Sequence, residues 1–342
     1  MSRMRVIAEV LASLRVTPFA LLALAAGVLA SYRDPGAPGW WMTLPLAVLA
    51  VNLAAALLVD ARLRLRAPLL VFHVALLAVL LLAAAGELLR FSGRVELVEG
   101  TRLDPAAVLT DTKGVLHRDA WLDALQVEQG AFSVEYQPGM VPGRTRSELR
   151  IIDADQSPAA FEIGNTQPLL EHGYRLHTTP NKGFAALLEW RGIDGTRDAG
   201  ALHFPSFPLA DWRQLNQWTA PGGAVFEFEL LPAVRVPGDR AYTLDSRTAS
   251  DGAAVLVRDE AGRTLARLAP GQSAGLPGGE LRLADIRMWM GYRVSYDPLL
   301  PWLLACGLVG ATALGMHLWR RMAPALNDTP LGSFTGDAGA RA

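Results

Sequence analysis

Between Pro68 and Leu88 the chain reads PLLVFHVALLAVLLLAAAGEL, an apolar run whose only ionisable groups are His73 near its start and Glu87 near its end. About 20 apolar residues at ~1.5 Å rise cross a ~30 Å hydrocarbon core. Backbone in lipid must satisfy its own hydrogen bonds, so such a run is committed to a helix. An imidazole inside it costs free energy unless a neighbour or a ligand satisfies it. Two readings of His73 stand side by side. It gives a ring nitrogen to a metal, heme iron included, or it hydrogen-bonds a neighbouring helix for packing.

The run is one of four apolar blocks in a chain of 342 residues that is 51% hydrophobic, too apolar for an ordinary soluble protein of this size. The blocks are Thr17–Tyr32, Met42–Val59, Pro68–Leu88 and Leu299–Trp319. The first has a basic flank and ends in small residues, as a cleaved leader does. Two more apolar blocks follow closely, so a retained span is expected. Arginines set the orientation. Arg3, Arg5 and Arg15 precede the first block, Arg62, Arg64 and Arg66 follow the second, and Arg320 and Arg321 close the fourth. All three clusters belong on the cytoplasmic side. The expected fold is therefore an integral membrane protein with four transmembrane α-helices (about 17–32, 42–59, 68–88 and 297–319) and both termini inside, residues 1–16 and 320–342. The last twenty residues, rich in Gly, Ala, Asp and Thr, read as a disordered tail. The Arg33–Trp41 loop falls outside, with Trp40 and Trp41 suited to the headgroup region. Residues 90–296 form one large outside domain between spans 3 and 4. A net charge of −1 gives no reason to expect a nucleic-acid partner.

The outside domain reads as β-rich. Short alternating runs recur in RVELVEG, FSVEYQPG, SELRIID, AAFEIGN, AVFEFELLPAV, AAVLVRDEAGRTLARL and ELRLADIRMWMGYRVSY, punctuated by Gly, Pro, Asn and Asp. A sandwich-like stack of two sheets is expected, with one short helix over Leu209–Trp218. Chemistry-bearing motifs are scarce. There is no Gly-rich phosphate loop, no His-Glu-x-x-His helix and no Gly-x-Ser-x-Gly elbow, so no catalytic residue is assigned. The single cysteine, Cys306, rules out an internal disulfide and a Cys-x-x-Cys pair. His117, His172, His177 and His203 read as surface or turn histidines. His172 and His177 are five apart in a strand-like stretch, hence on opposite faces.

Taken in order, LASLRVTPFALLALAAGVLAS, PLAVLAVNLAAALLVDARLR and FHVALLAVLLLAAAGELLRFSGRVELVEG resemble the first three spans of the ResB/CcsB family of cytochrome c biogenesis proteins. IGNTQPLLEHGYRLHTT is similar to a family segment, through Asn165, Pro168, Leu169, Gly173 and Tyr174. GYRVSYDPLLPWLLACG resembles the start of the family's last span, with Asp297 and Pro298 before the apolar run. Two positions depart from the pattern: Leu299 stands where a glycine commonly follows Asp-Pro, and His177 where a glutamine is frequent. The outside domain is also compact for the family.

The resemblance implies a subunit of the System II machinery that binds or translocates heme across the bacterial inner membrane. The main domain would be periplasmic. Heme would be presented for attachment to apocytochrome c together with a CcsA/ResC-type membrane partner. A separate thioredoxin-like reductant is a further implied partner, and heme b, shared with the partner subunit, is the implied cofactor. The partner carries a Trp-rich motif ending in Trp-Trp-Asp. Here Trp40-Trp41 is followed by Met42, so this subunit alone is not expected to be a complete ligase. His73 matches the family's third-span histidine, an axial heme ligand. It lies five residues past the start of its span, roughly 7–8 Å in, where heme made inside the cell meets it first. His317, at a similar inner depth, is the second-ligand candidate within this chain, and the partner subunit is the other source. Asn52 is expected to bond between helices. The competing reading is a membrane-anchored scaffold or receptor whose β domain binds a partner protein, with no heme.

Overall fold

The computed structural model describes residues 9–34, 39–152, 159–208 and 213–327. Arg3, Arg5, residues 209–212 of the expected short helix and the tail from 328 onward lie outside them. The chain divides into two compact units, Met1–Leu89 with Asp297–Ala342, and Arg90–Tyr296. The first holds helices α1 (Val16–Arg33), α2 (Trp40–Val59), α3 (Ala61–Arg64), α4 (Ala67–Leu89) and α6 (Leu300–Asn327); the second holds the one-turn helix α5 (Ser246–Ala249) and the strands.

Among the described residues four helices, α1, α2, α4 and α6, are long and apolar enough to cross a membrane. Helix α1 packs on α2, α2 on α4 and α4 on α6. The α1–α2 contact depends on Gly27, where a Cβ would collide with the backbone carbonyl of Trp41. Asp60 turns the chain out of α2: its carboxylate accepts the Arg62 N–H at 2.9 Å and caps α3. Pro68 sits in the first turn of α4, where its missing N–H deprives the helix of nothing. Helix α6 runs beyond the expected end at Trp319 to Asn327. The expected disordered tail therefore begins as helix.

The β unit has strands β1 (Phe91–Val98), β2 (Leu109–Lys113), β3 (Val127–Gln137), β4 (Val141–Ile151), β5 (Ala159–Gly164), β6 (Leu169–Glu171), β7 (Tyr174–Gly192) and β8 (Arg197–Ser206). It continues with β9 (Leu215–Thr219), β10 (Val225–Leu231), β11 (Tyr242–Asp245), β12 (Ala254–Arg258), β13 (Thr264–Leu268), β14 (Ser273–Leu276) and β15 (Gly279–Tyr296). Among the described residues they form three antiparallel sheets rather than the two expected. One follows the order β2-β1-β15-β7-β6, with β14 on β15 and β8 on β7; the others are β13-β12-β10-β9 and β11-β3-β4-β5. Side chains from all three sheets meet in one core, among them Phe184, Phe228, Leu244 and Tyr292. The expected helix over Leu209–Trp218 is corrected where it is described, since Leu215–Thr219 is strand β9, paired with β10.

The spine is the long pair β7/β15, which runs from Tyr174 opposite Tyr296 to Gly192 opposite Gly279 with register shifts between Leu283 and Asp285 and between Met290 and Tyr292. Its middle is buried on both faces. A second small cluster of Val98, Ala185 and Trp289 covers the side away from the main core. Gly183 is needed there, because a Cβ would lie 2.8 Å from Trp289 Nε1 and 2.9 Å from the Pro205 carbonyl. Strands β1 and β15, the first and last of the unit, pair with Phe91 opposite Tyr296, so the chain enters and leaves side by side.

Candidate functional site

His73 lies in the second turn of α4, half-buried beside Phe72, whose ring meets it edge-on at 5.1 Å. Its Nδ1 is 2.7 Å from the carbonyl oxygen of Leu69, one turn back. A carbonyl only accepts, so Nδ1 carries the hydrogen and the imidazole is held as the tautomer with its lone pair on Nε2. That is how metal-binding histidines are usually oriented, the second nitrogen donating to a fixed acceptor. Among the described residues no hydrogen bond engages Nε2. The helix thus satisfies one nitrogen and leaves the other able to coordinate.

Asn52, in the neighbouring helix α2, is treated differently. Its amide donates to the carbonyls of Leu11 at 2.6 Å and Ser13 at 3.1 Å, and its oxygen accepts from Thr17 Oγ1 at 3.0 Å. The side chain is consumed in fastening the segment before α1 to α2, which is the interhelical bonding expected of it.

His317 does not share a level with His73. Helix α6 passes α4 where Gly310 approaches Ala75 and Phe72. The two run antiparallel, as their tethering to the paired residues Phe91 and Tyr296 requires. From that crossing, His73 lies two residues back along α4 and His317 seven residues on, an axial offset of ~7 Å.

The histidines of the β unit are dispersed. His172 is at the β6–β7 turn with φ 48°, followed by Gly173 at φ 83°, rather than on a strand face. Its Nδ1 lies 2.8 Å from Glu171. His177 is half-buried on β7 opposite Arg293. Its pKa is lowered by burial first and by the charges of Arg175 and Arg293 after that. His203 Nδ1 is 2.7 Å from Glu96, and its ring stacks on Trp289. Among the described residues no group of three or more His, Cys, Asp or Glu could hold a metal ion.

His117 overturns its expected place at the surface. It is 4% exposed, stacked on Phe91 at 4.7 Å, with Trp121 and Tyr296 edge-on at 5.3 and 5.5 Å. Its Nε2 is 2.8 Å from the Tyr174 hydroxyl, while Nδ1 is buried without a hydrogen-bond partner among the described residues. Burial lowers its pKa, the Lys113 charge lowers it further, and Asp119 opposes both. No sequence signal marks this cluster, because its members come from separate stretches at the start, the middle and the end of the unit. Lys182, also missed, is buried on β7 with Nζ donating to the Pro180 carbonyl at 2.9 Å, and burial lowers its pKa to about 8.

Four candidate spans combined with an antiparallel β unit define a protein of the multi-span membrane type. Within that class, residues 63–191, which carry α4 and β1 to nearly the end of β7, match the ResB-like family. This bears out the resemblance carried by the third apolar block and by the Asn165–Tyr174 segment, both of which lie within the matched residues. No curated protein matches the sequence. Among solved structures the chain is similar to Cytochrome c Heme Lyase CcmF at 13% identity and a TM-score of 0.30, over 90% of this chain and 35% of that one. The chain therefore spans about a third of the length of that lyase, and no assignment of fold or function is drawn from a likeness at that score.

Proposed function

We propose that this protein is a heme-handling subunit of a c-type cytochrome maturation complex in the bacterial inner membrane. In this reading the four helices span the membrane, both termini are cytoplasmic and the β unit is periplasmic. Similarity to the ResB-like family over residues 63–191 supports a role in cytochrome c biogenesis. The observation that carries the heme reading is the hydrogen bond from His73 Nδ1 to the Leu69 carbonyl at 2.7 Å. It leaves Nε2 as a ligand in an apolar helix. Such a donor suits the iron of heme b, which is the cargo, and a six-coordinate iron takes a second axial ligand. The offset of His317 favours the CcsA/ResC-type partner as the source of that ligand. The β unit holds apocytochrome c and the partner subunit rather than catalysing, consistent with its dispersed histidines.

The test is the absorbance of the purified complex. His73→Ala is expected to reduce co-purifying heme and cytochrome c yield by about tenfold or more at unchanged protein level, since alanine suits the helix. Exogenous imidazole is expected to restore part of both by supplying the missing nitrogen. Unchanged heme occupancy and cytochrome c output would overturn the reading and leave the scaffold.

A further inference from the structure

Residues Gly114–His117 form a tight turn, closed by the His117 N–H to the Gly114 carbonyl at 3.1 Å. Its two tip residues are Val115, 81% exposed, and Leu116, 54% exposed. Turn tips ordinarily carry Gly, Asn, Asp or Ser, which tolerate water and the required dihedrals. Two adjacent aliphatic side chains held out from the surface call for a nonaqueous neighbour.

The turn is also rigidly mounted. His117 follows the tip directly, and its ring is wedged between Phe91, Trp121 and Tyr296. The Gly114 N–H donates to the Arg90 carbonyl at 2.8 Å. Arg90 is joined by a single peptide bond to Leu89, the last residue of the apolar helix α4. Lys113 and Arg118 flank the tip, Arg118 exposed and Lys113 paired with Asp119 at 2.6 Å.

From these observations we infer that Val115 and Leu116 are an interfacial membrane anchor, inserted at the boundary between lipid headgroups and acyl chains. The inference rests on the reading that α4 spans a bilayer, and it adds a second attachment of the β unit to that bilayer. The occupant is lipid rather than protein because the turn is bonded to Arg90, the residue that directly follows the end of a lipid-spanning helix. Apolar tips with basic neighbours are what partition at that depth. The burial of His117 finds its role here as the pin that holds the tip rigid.

The test uses the full chain in liposomes. Cys306, the single cysteine, is first replaced in a Cys306→Ala background. A fluorophore sensitive to polarity is then attached at Val115→Cys, Leu116→Cys, Ile193→Cys or Leu81→Cys, one per protein. Ile193 is an apolar tip as well, 90% exposed, in the β7–β8 turn at the other end of the β7/β15 pair. Leu81 reports the spanning helix. At 115 and 116 the probe should emit to the blue of that at 193, resist aqueous iodide and lose roughly half its intensity to a shallow spin-labelled lipid. Probes at 115 and 116 that behave as at 193 would overturn the anchor. So would protection from iodide without quenching by lipid, which would mean a protein cover. Failure of the Leu81 probe to be quenched by a deep spin-labelled lipid would strike the spanning reading instead, so the two failures are told apart.

Discussion

In the helical unit, Asn52 donates to the backbone carbonyls of Leu11 and Ser13 and His73 to that of Leu69, and one bond, from Thr17 Oγ1 to Asn52, joins side chains of two candidate spans. In the β unit, some buried polar side chains meet the backbone, as Lys182 does, while the members of one set meet one another. The Tyr292 hydroxyl lies 2.6 Å from both Gln129 Oε1 and Ser147 Oγ, and Gln129 Nε2 donates to Ser147 Oγ at 3.0 Å. This three-membered ring of bonds ties β3 and β4 to β15 across two sheets. The difference follows from what surrounds each unit. A helix in lipid has few neighbours, so a polar side chain turns to its own or the adjacent backbone. In a three-sheet core, strands from distant parts of the sequence bring side chains together, and a closed network helps to specify which strands meet. His73 breaks the pattern, since only one of its nitrogens is committed.

The comparison is most open to challenge at Tyr292. Tyr292→Ala should destabilise the β unit by about 3–5 kcal/mol, from the cavity and the orphaned partners. Tyr292→Phe keeps the packing and should cost about 1–3 kcal/mol through the unsatisfied Gln129 and Ser147 groups. Thermal unfolding of the purified chain, followed by near-ultraviolet circular dichroism, measures both. No loss in Tyr292→Phe would mean that packing alone, and not the network, holds the site. A smaller effect is expected from Asn52→Leu, about 1 kcal/mol in a detergent unfolding titration. His73→Ala in the same titration should change almost nothing, because its single bond lies within its own helix. A larger loss for His73→Ala than for Asn52→Leu would recast His73 as a packing residue.

The smallest effect is a slope with pH. The folded pKa of His117 lies below the ordinary imidazole value, because burial and Lys113 disfavour the cation. The unfolded chain therefore binds the proton more tightly. Stability is whole above the unfolded pKa and declines as pH falls through the folded one. His177 is displaced in the same direction. His117→Phe should flatten, without abolishing, the loss of stability between about pH 7 and about pH 5 in unfolding curves. An unchanged slope would place its origin in other groups.

The helical unit was largely legible because lipid imposes a simple code, about 20 apolar residues per helix with arginines at the ends. The expected 68–88 span is Ala67–Leu89, and the expected 42–59 span is Trp40–Val59. Strands with one face in water were legible too, β10 alternating half-buried and buried along VFEFELL. Strand β7 was not. Its GFAALLEW stretch is buried on both faces by Val98, Trp289 and the main core, which erases the alternation that marks a half-exposed strand. The 209–218 segment mixes polar and aromatic residues without a clear period, and only the pairing with β10 makes its second half a strand. At the candidate site the imidazole in an apolar helix stood out by composition, whereas the bond that selects its tautomer needed coordinates. The His117 cluster was invisible because Phe91, His117, Tyr174 and Tyr296 are brought together only when β15 closes against β1.

That closure has a mechanical consequence. The two ends of the β unit leave from one rung of the β1/β15 ladder, Phe91 opposite Tyr296. Any force that draws α4 and α6 apart pulls on that rung in peeling mode, loading hydrogen bonds one at a time instead of sharing the load along eight paired residues. Peeling is the weak direction of a sheet, and the interlocked rings of Phe91, His117, Tyr174 and Tyr296 sit at the point where it would begin. They act as a rivet at the end of a seam, so that motion between the two helices must first work against an aromatic joint before it can open a strand.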